Sequence, residues 1–360
     1  MNHTSSKVKK KVLMFLQSGV GGAERVTVTI GKNLDKAKYD VVFCLVGHGT
    51  GGIENFIPKG YKIEYIKNKN PIALIWAYGK KILQEKPNVV FASVMNINTK
   101  LLLWKLLFQK IKFIVRSDNN FSGFSKIQQR LIQFTYRFAN CVVAQTAEMA
   151  NGLIKGAKLD ESKCIVLANP IDESYIEEHL QNAASPYKNN GNIHYVASGR
   201  FAEAKGFDLL IKAFASVHKT NPKTDLHILG RTGEPDNPVF QTVAQLIQEH
   251  SLSDCVVFTG QLKNPYPFIK FADCFVLSSR YEGFPNVLLE SLYLLTPVAA
   301  FRCIPVIERV VHEGINGYTA EAGNEKKLAL AMEKACKLGR IPNSYKSATS
   351  VEFEKLFAEE

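Results

Sequence analysis

The stretch RYEGFPNVLLESL, Arg280 to Leu292, sets two glutamates, Glu282 and Glu290, into an otherwise apolar run. A buried carboxylate is costly unless something pairs with it. A plain core helix needs neither glutamate, so the stretch points to a ligand. The strand-like CFVLSS (274–279) precedes it, and Pro285 suits a first helical position, where a missing N–H costs nothing. Glu282 then falls in a loop at a strand's carboxyl end, and Glu290 on the second turn of the next helix. Helical side chains lean toward the N-terminus, which lets both carboxylates face one ligand. Carboxylates accept hydrogen bonds well, and the vicinal hydroxyls of a sugar supply donors.

The same strand–loop–helix order recurs along the 360 residues. Strand patterns fall at 11–17, 40–46, 62–66, 88–94, 112–117, 141–146 and 163–168, with helical patterns at 22–34, 71–84 and 98–109 between them. Around 167–192 the chain turns to Asn, Pro, Asp, Ser and Gly, which reads as a linker. A second series follows at 193–199, 225–230, 255–260, 274–279 and 296–301. Such alternation predicts an α/β fold of two Rossmann-like domains, each a parallel sheet covered by helices. The sheets would face across a cleft at their carboxyl ends, where open α/β sheets bind ligands.

Composition agrees with an ordinary globular chain, 46% hydrophobic and 22% charged. The seven cysteines are scattered, with no CxxC pair and no Cys/His cluster at zinc spacing. They predict buried structural thiols and a reduced, cytoplasmic compartment. The apolar part of MNHTSSKVKKKVLMFL is too short for a signal peptide, and no stretch is long enough to span a membrane. Charge is lopsided: residues 1–170 carry 26 Lys+Arg against 10 Asp+Glu, and the remainder 19 against 23. A polyanionic partner for the first half alone is expected, whether nucleic acid, anionic lipid or a phosphate-bearing acceptor.

Two further segments suit phosphate. QSGVGGAERVTVTI (17–30) leaves the first strand through Gly19, Gly21 and Gly22, so the helix that follows aims free N–H groups at an anion. It is neither G-x-G-x-x-G nor a P-loop. SGRFAEAKGFDLLIKAF (198–214) puts Arg200 and Lys205 beside another helix start, a planar fork and a point charge fit for a diphosphate. Taken singly, each also reads as a tight turn or a solvated loop.

Together, in the order GGAER, GRF-x3-KG and E-G-F-P-x4-E, these segments resemble the family 4 retaining glycosyltransferases of the GT-B fold. Residues 264–292 are similar to bacterial members that extend lipid-linked surface glycans, such as O-antigen or capsule. The resemblance implies that Gly21 and Gly22 approach the donor phosphate or the acceptor. It gives Arg200 and Lys205 the nucleotide diphosphate and Glu282 the donor sugar, with Gly283, Phe284, Pro285 and Asn286 offering the loop and its amides. Glu290 holds the ribose hydroxyls. The implied reaction is metal-independent transfer of a hexose or N-acetylhexosamine, with retention, from a nucleotide sugar, UDP-linked by preference. The implied acceptor is a glycan on a polyprenyl diphosphate or lipid A core. No cofactor or metal is expected, since no D-x-D sequence occurs. The implied domains are 1–175 for the acceptor and membrane and 176–341 for the nucleotide sugar. A helix within 342–360 would return to the first domain.

Some positions depart from the family. Where relatives carry histidine or arginine after the fifth strand, VRSDNN places Asp118, a candidate sugar contact. Leu295 replaces an expected glycine, and the glycine-rich loop before Glu308 is reduced. TKLLLWKLLFQKIKF (99–113) sets Trp104 among Lys100, Lys105, Lys110 and Lys112, which fits either an interfacial helix on anionic headgroups or a core helix with lysines at its rim. Residues 121–138 form a second such patch. Two other classes stay open: a nucleotide-linked oxidoreductase, which the first turn's glycine spacing disfavours, and a non-enzymatic basic binder, which leaves Glu282 and Glu290 unexplained.

Overall fold

The computed structural model describes residues 8–47, 52–68, 70–231, 236–342 and 350–358. The chain divides into two compact units, Met1–Asp172 with Ser347–Glu360, and Glu173–Lys346.

In the first unit the strands are β1 Lys10–Gln17, β2 Tyr39–Val46, β3 Lys62–Ile66, β4 Val89–Ala92, β5 Lys112–Arg116, β6 Cys141–Ala144 and β7 Cys164–Val166. They form one parallel sheet in the order β3-β2-β1-β4-β5-β6-β7. The central β1 reads KKVLMFLQ because both of its faces are covered: Leu13 and Phe15 enter one core, Val12, Met14 and Leu16 the other. Its helices are α1 Gly22–Asn33, α2 Pro71–Glu85, α3 Met95–Leu102, α4 Lys126–Thr135 and α5 Ala147–Ala157. Local chemistry sets their starts. Asn70 accepts from the Ile72 and Ala73 amides ahead of α2, with Pro71 in the first turn, and Ser125 and Gln128 close a capping box on α4. Lys32 on α1 pairs with the buried Asp172, which ties the segment leaving the unit to its first helix.

The helix expected over 98–109 is a correction. It starts earlier, at Met95, and ends at Leu102, where Leu103–Leu106 tightens into a 3-10 turn. Packing is the cause: the Trp104 ring lies directly on Gly79 of α2, and its Nε1 donates to the Ile75 carbonyl at 2.7 Å. Lys100 and Lys105 are half-buried, their ammonium groups held by backbone carbonyls of Asn96, Gln109 and Ile111. Lys112 opens β5 and only Lys110 is exposed. The 99–113 segment is therefore no single amphipathic helix, and its tryptophan faces the core.

In the second unit the strands are β8 Ile193–Ser198, β9 Thr224–Leu229, β10 Val256–Gly260, β11 Cys274–Leu277, β12 Val298–Phe301 and β13 Gly317–Ala320. This sheet is also parallel, in the order β10-β9-β8-β11-β12-β13. The edge strand β13 went unread: GYTA is four residues long and opens on glycine, too short to show a period. The helices are α6 Glu173–Leu180, α7 Phe207–Thr220, α8 Pro238–Glu249, α9 Tyr266–Phe271, α10 Asn286–Tyr293, α11 Pro305–Val310 and α12 Glu325–Ala335. Each sheet reverses its strand order once, between β1 and β4 and between β8 and β11. Ligand crevices of open α/β sheets form at such reversals, outside the carboxyl ends.

A thirteenth helix, α13 Ser350–Ala358, packs on the first unit. Phe353, Leu356 and Phe357 join the core that holds β1 and α1, with Phe357 against Phe91 and Tyr39 at 5.8 and 6.3 Å between ring centres. Glu354 accepts from the Asp35 amide at 2.9 Å. The expected glycine position after α10 keeps its geometry without its glycine: Leu295 sits at φ 62°.

Both features are testable. Phe357→Ala should cost the first unit about 3–5 kcal/mol. Both tryptophans, Trp76 and Trp104, lie in that unit, so their fluorescence should lose structure at lower urea, and an unmoved midpoint would remove α13 from the core. Leu295→Gly should relieve left-handed strain and stabilise the second unit by about 0.5–1 kcal/mol after the unfolded-state entropy of glycine is subtracted. Scanning calorimetry should record that as a rise of about 2–3 °C; a fall would deny the strain.

Candidate functional site

At the reversal between β8 and β11, the second unit gathers most of the residues singled out from sequence. β8 ends at Ser198, Gly199 and the exposed Arg200 follow, and a 3-10 turn Glu203–Lys205 leads to α7. Gly206, at φ 60°, makes the turn into α7, and a Cβ there would run into the Ser278 carbonyl oxygen. The two loops are stitched together by the Ser278 hydroxyl, which donates to the Lys205 carbonyl at 2.9 Å, and by the Arg280 amide, which donates to Ala204 O at 2.8 Å. Arg280 also grips Asp208 on α7 with two bonds of 2.7 and 2.6 Å, and holds its carboxyl below the usual range.

This stitching brings Lys205 to Glu282. The Lys205 Nζ donates to Glu282 Oε1 at 2.6 Å, and Ser279 Oγ donates to the same oxygen at 2.6 Å. Glu282 is only 8% exposed, so its carboxylate is held in place by one cation and one hydroxyl. The resemblance gives Lys205 to the diphosphate and Glu282 to the sugar; the structure pairs the two side chains directly. Gly283, Phe284 and Asn286 are half-buried and Pro285 is buried. Pro285 is the N-cap of α10, one place before the expected first helical position, and its carbonyl accepts from Leu288 and Leu289. Glu290 lies on the second turn as expected, 7% exposed.

Two neighbours had no sequence signal. Ser279 lies two residues past the end of β11, where the apolar run CFVLSS makes it read as one more strand residue. Cys303 follows β12; burial, then the Glu282 carboxylate, pushes its thiol up to about 12. Glu308, the family match on α11, is exposed and 3.7 Å from Arg302.

In the first unit, the reversal lies between β1 and β4. Gly21 caps α1 in extended conformation and Gly22 begins it; a Cβ on Gly21 would collide with the Glu24 carboxylate. The loop after β5 holds Asp118, whose Oδ1 is buried with no hydrogen-bond partner among the described residues, and burial raises its pKa. Behind it stands a residue that sequence reading left inside a strand, Arg116. This fully buried guanidinium donates to Asn169 Oδ1, while Nε and Nη1 bond to nothing among the described residues. Burial pushes it down to about 10, against the attraction of Asp118. Asn98 holds the Arg116 carbonyl at 2.9 Å and Gln145 the Ser117 carbonyl at 2.8 Å, so the strand end is fixed by side-chain amides. A basic residue is thus present at β5's end, two places before Asp118 and pointing inward.

Chemically, the second unit offers a preorganised carboxylate, an ammonium and an exposed guanidinium within one pair of loops at a strand reversal. That combination can accept from hydroxyls and oppose the negative charge of a phosphate.

Known proteins share this plan. The family Glycosyl transferases group 1 matches residues 181–350, and Glycosyltransferase Family 4 matches residues 20–175. An uncharacterized glycosyltransferase of Methanocaldococcus jannaschii is 29% identical over 66% of this chain and 63% of its own length. The N-acetylgalactosamine-N,N'-diacetylbacillosaminyl-diphospho-undecaprenol 4-alpha-N-acetylgalactosaminyltransferase of Campylobacter jejuni is 25% identical over 94% of this chain and 93% of its own. Among solved structures, Anabaena HepE in complex with UDP-glucose superposes with a TM-score of 0.79 over 97% of this chain and 98% of its own, at 18% identity. With both of its α/β units matched in turn, the chain belongs to the group 1 and family 4 glycosyltransferases of the GT-B fold.

Proposed function

We propose that this glycosyltransferase moves a hexose or N-acetylhexosamine, with retention, from a UDP-linked sugar to a lipid-linked glycan at the inner face of the cytoplasmic membrane. The observation that carries the reading is the Glu282 carboxylate, buried and fixed by Lys205 and Ser279 at the β8–β11 reversal. Glu282 would accept from hydroxyls of the transferred sugar, and Glu290 from those of the ribose. As the glycosidic bond lengthens, negative charge builds on the departing diphosphate. Arg200 meets it with a fork, and Lys205 has two further N–H donors beyond the one spent on Glu282. A donor phosphate oxygen takes the acceptor's proton in a front-face attack. With no D-x-D pair in the chain, these cations take the part a chelated metal plays elsewhere. Asp118, with a buried oxygen that bonds to nothing among the described residues, is proposed as an acceptor-side contact.

The Campylobacter relative acts, by its name, on a sugar chain carried by diphospho-undecaprenol, which supports a polyprenyl diphosphate acceptor; a lipid A core is the other acceptor to test. Surface chemistry supports a membrane. No helix among the described residues is long and apolar enough to cross a bilayer. Helices α2, α3 and α4 pack side by side on the first unit. Exposed there are Ile72 and Trp76 on α2, Leu106 and Leu107 after α3, and Ile127, Leu131 and Phe134 on α4. The α4 residues repeat at helical spacing, with the exposed cations Lys126, Arg130 and Arg137 around them. Such a face fits anionic headgroups, which favours the second of the two expected patches, 121–138, over 99–113.

Glu282→Gln should leave stability within about 1 kcal/mol, since Lys205 is partly solvated. Sugar transfer from labelled UDP-sugars to membrane extract should fall about 10²–10³-fold, and unchanged turnover would sink the site. The anomeric configuration of the product, read by NMR, decides retention. Replacing Ile127, Leu131 and Phe134 together by Gln should release the protein from phosphatidylglycerol vesicles in co-sedimentation. Undiminished binding would place the membrane surface elsewhere.

A further inference from the structure

At the amino ends of β8 and β9, opposite the sugar end of the second sheet, lies a polar cluster with no part in transfer. The register sets His194 against Asp225 and Val196 against His227, so both histidines and the aspartate share one face. Tyr195 and Ala197, on the other face, belong to the core with α7 and α12. Each of the three polar residues offers a ligand atom, and these atoms lie within 4.8 Å of one another. Among the described residues this is the one such grouping.

The hydrogen bonding is incomplete in the place where a cation would sit. His194 is 8% exposed, and its Nδ1 and that of His227 are buried without a hydrogen-bond partner among the described residues. His194 Nδ1 stands 3.4 Å from Asp225 Oδ2. That is close to the ligand–ligand edge of a tetrahedral zinc site, about 3.3 Å for bonds of about 2.0 Å. The surroundings orient the set. Asn192 donates to Asp225 Oδ2 at 3.0 Å, and Asp273 accepts from the His194 amide at 2.7 Å. The Tyr187 ring stacks on His194 at 4.3 Å and meets His227 edge-on at 4.8 Å. Stacking occupies the ring face and leaves the in-plane nitrogen lone pair open. Supporting bonds of this kind are what hold metal ligands in register.

We propose that His194, Asp225 and His227 form a zinc site, three protein ligands with water in the fourth position. Two imidazoles and one carboxylate favour Zn²⁺ or Co²⁺ over Mg²⁺ and Ca²⁺, which prefer all-oxygen shells. The ion bridges two adjacent strands and touches neither Glu282 nor Lys205, so its role is structural. The site lacks any linear motif because its ligands come from neighbouring strands.

The test uses the full chain, tag-free and stripped with chelator, titrated with Co²⁺ alone. One equivalent should bring up the visible absorption of tetrahedral cobalt, and Zn²⁺ should quench it and raise the Tm. His227→Gln should abolish the band. Asp225→Asn keeps the shape of its side chain and should weaken binding at least about tenfold. His250→Gln, on the exposed end of α8, should change nothing. No band at millimolar cobalt in the folded protein, or a band unaltered by both ligand variants, overturns the site. The readout is spectroscopic, so it stands or falls apart from sugar transfer.

Discussion

The close approach of Gly206 to the Ser278 carbonyl governs the strand reversal of the second unit. With no side chain at that turn, the loop after β8 settles against the end of β11, and Ser278 and Arg280 bond across to it. Only then does the Lys205 ammonium reach Glu282. Any Cβ at Gly206 would force the loops apart and leave a nearly buried carboxylate without its cation, a far costlier state than the pair. The result is a charge pair already made in the fold, with the Ser279 hydroxyl on the same carboxylate oxygen.

The first unit solves a different problem at the matching place. Its strand end is fixed by neutral amides, Asn98, Gln145 and Asn169, around a guanidinium that finds only one of them. Asp118 attracts Arg116, but one of its oxygens bonds to nothing among the described residues. Half-satisfied buried polar networks are expensive, and they persist where a fold serves a ligand as well as its own stability. The two units thus present opposite chemistry: a completed ion pair in one and an incomplete polar network in the other.

How far sequence carried depends on the range of the interaction. Strands covered on both faces, such as β1, announce themselves as apolar runs, and caps such as Asn70–Pro71 lie within a few residues of what they cap. Glu282 and Glu290 were legible because charge inside apolar sequence has few explanations. The pairing of Lys205 with Glu282 was not, since two cations in a loop say nothing about which carboxylate they meet. Arg116 was hidden by the pattern itself, closing a strand of buried residues. The break of α3 at Leu102 depends on Gly79 of another helix receiving Trp104, and His194 meets His227 only through strand register. Leu295 is instructive in the other direction: its backbone takes the left-handed shape that a glycine adopts freely, so the turn is in place although the residue there carries a side chain.

The path of the chain also orders its assembly. Residues 350–358 complete the core around β1 and α1, although everything in the second unit lies between them in sequence. During synthesis the second unit can therefore fold while the first still lacks Phe353, Leu356 and Phe357. The basic unit, with its exposed apolar side chains, becomes whole only after the second unit has been made. A ribosome stalled shortly before residue 350 would release a finished second unit joined to a first unit with an open core, and quality control would meet that open core first.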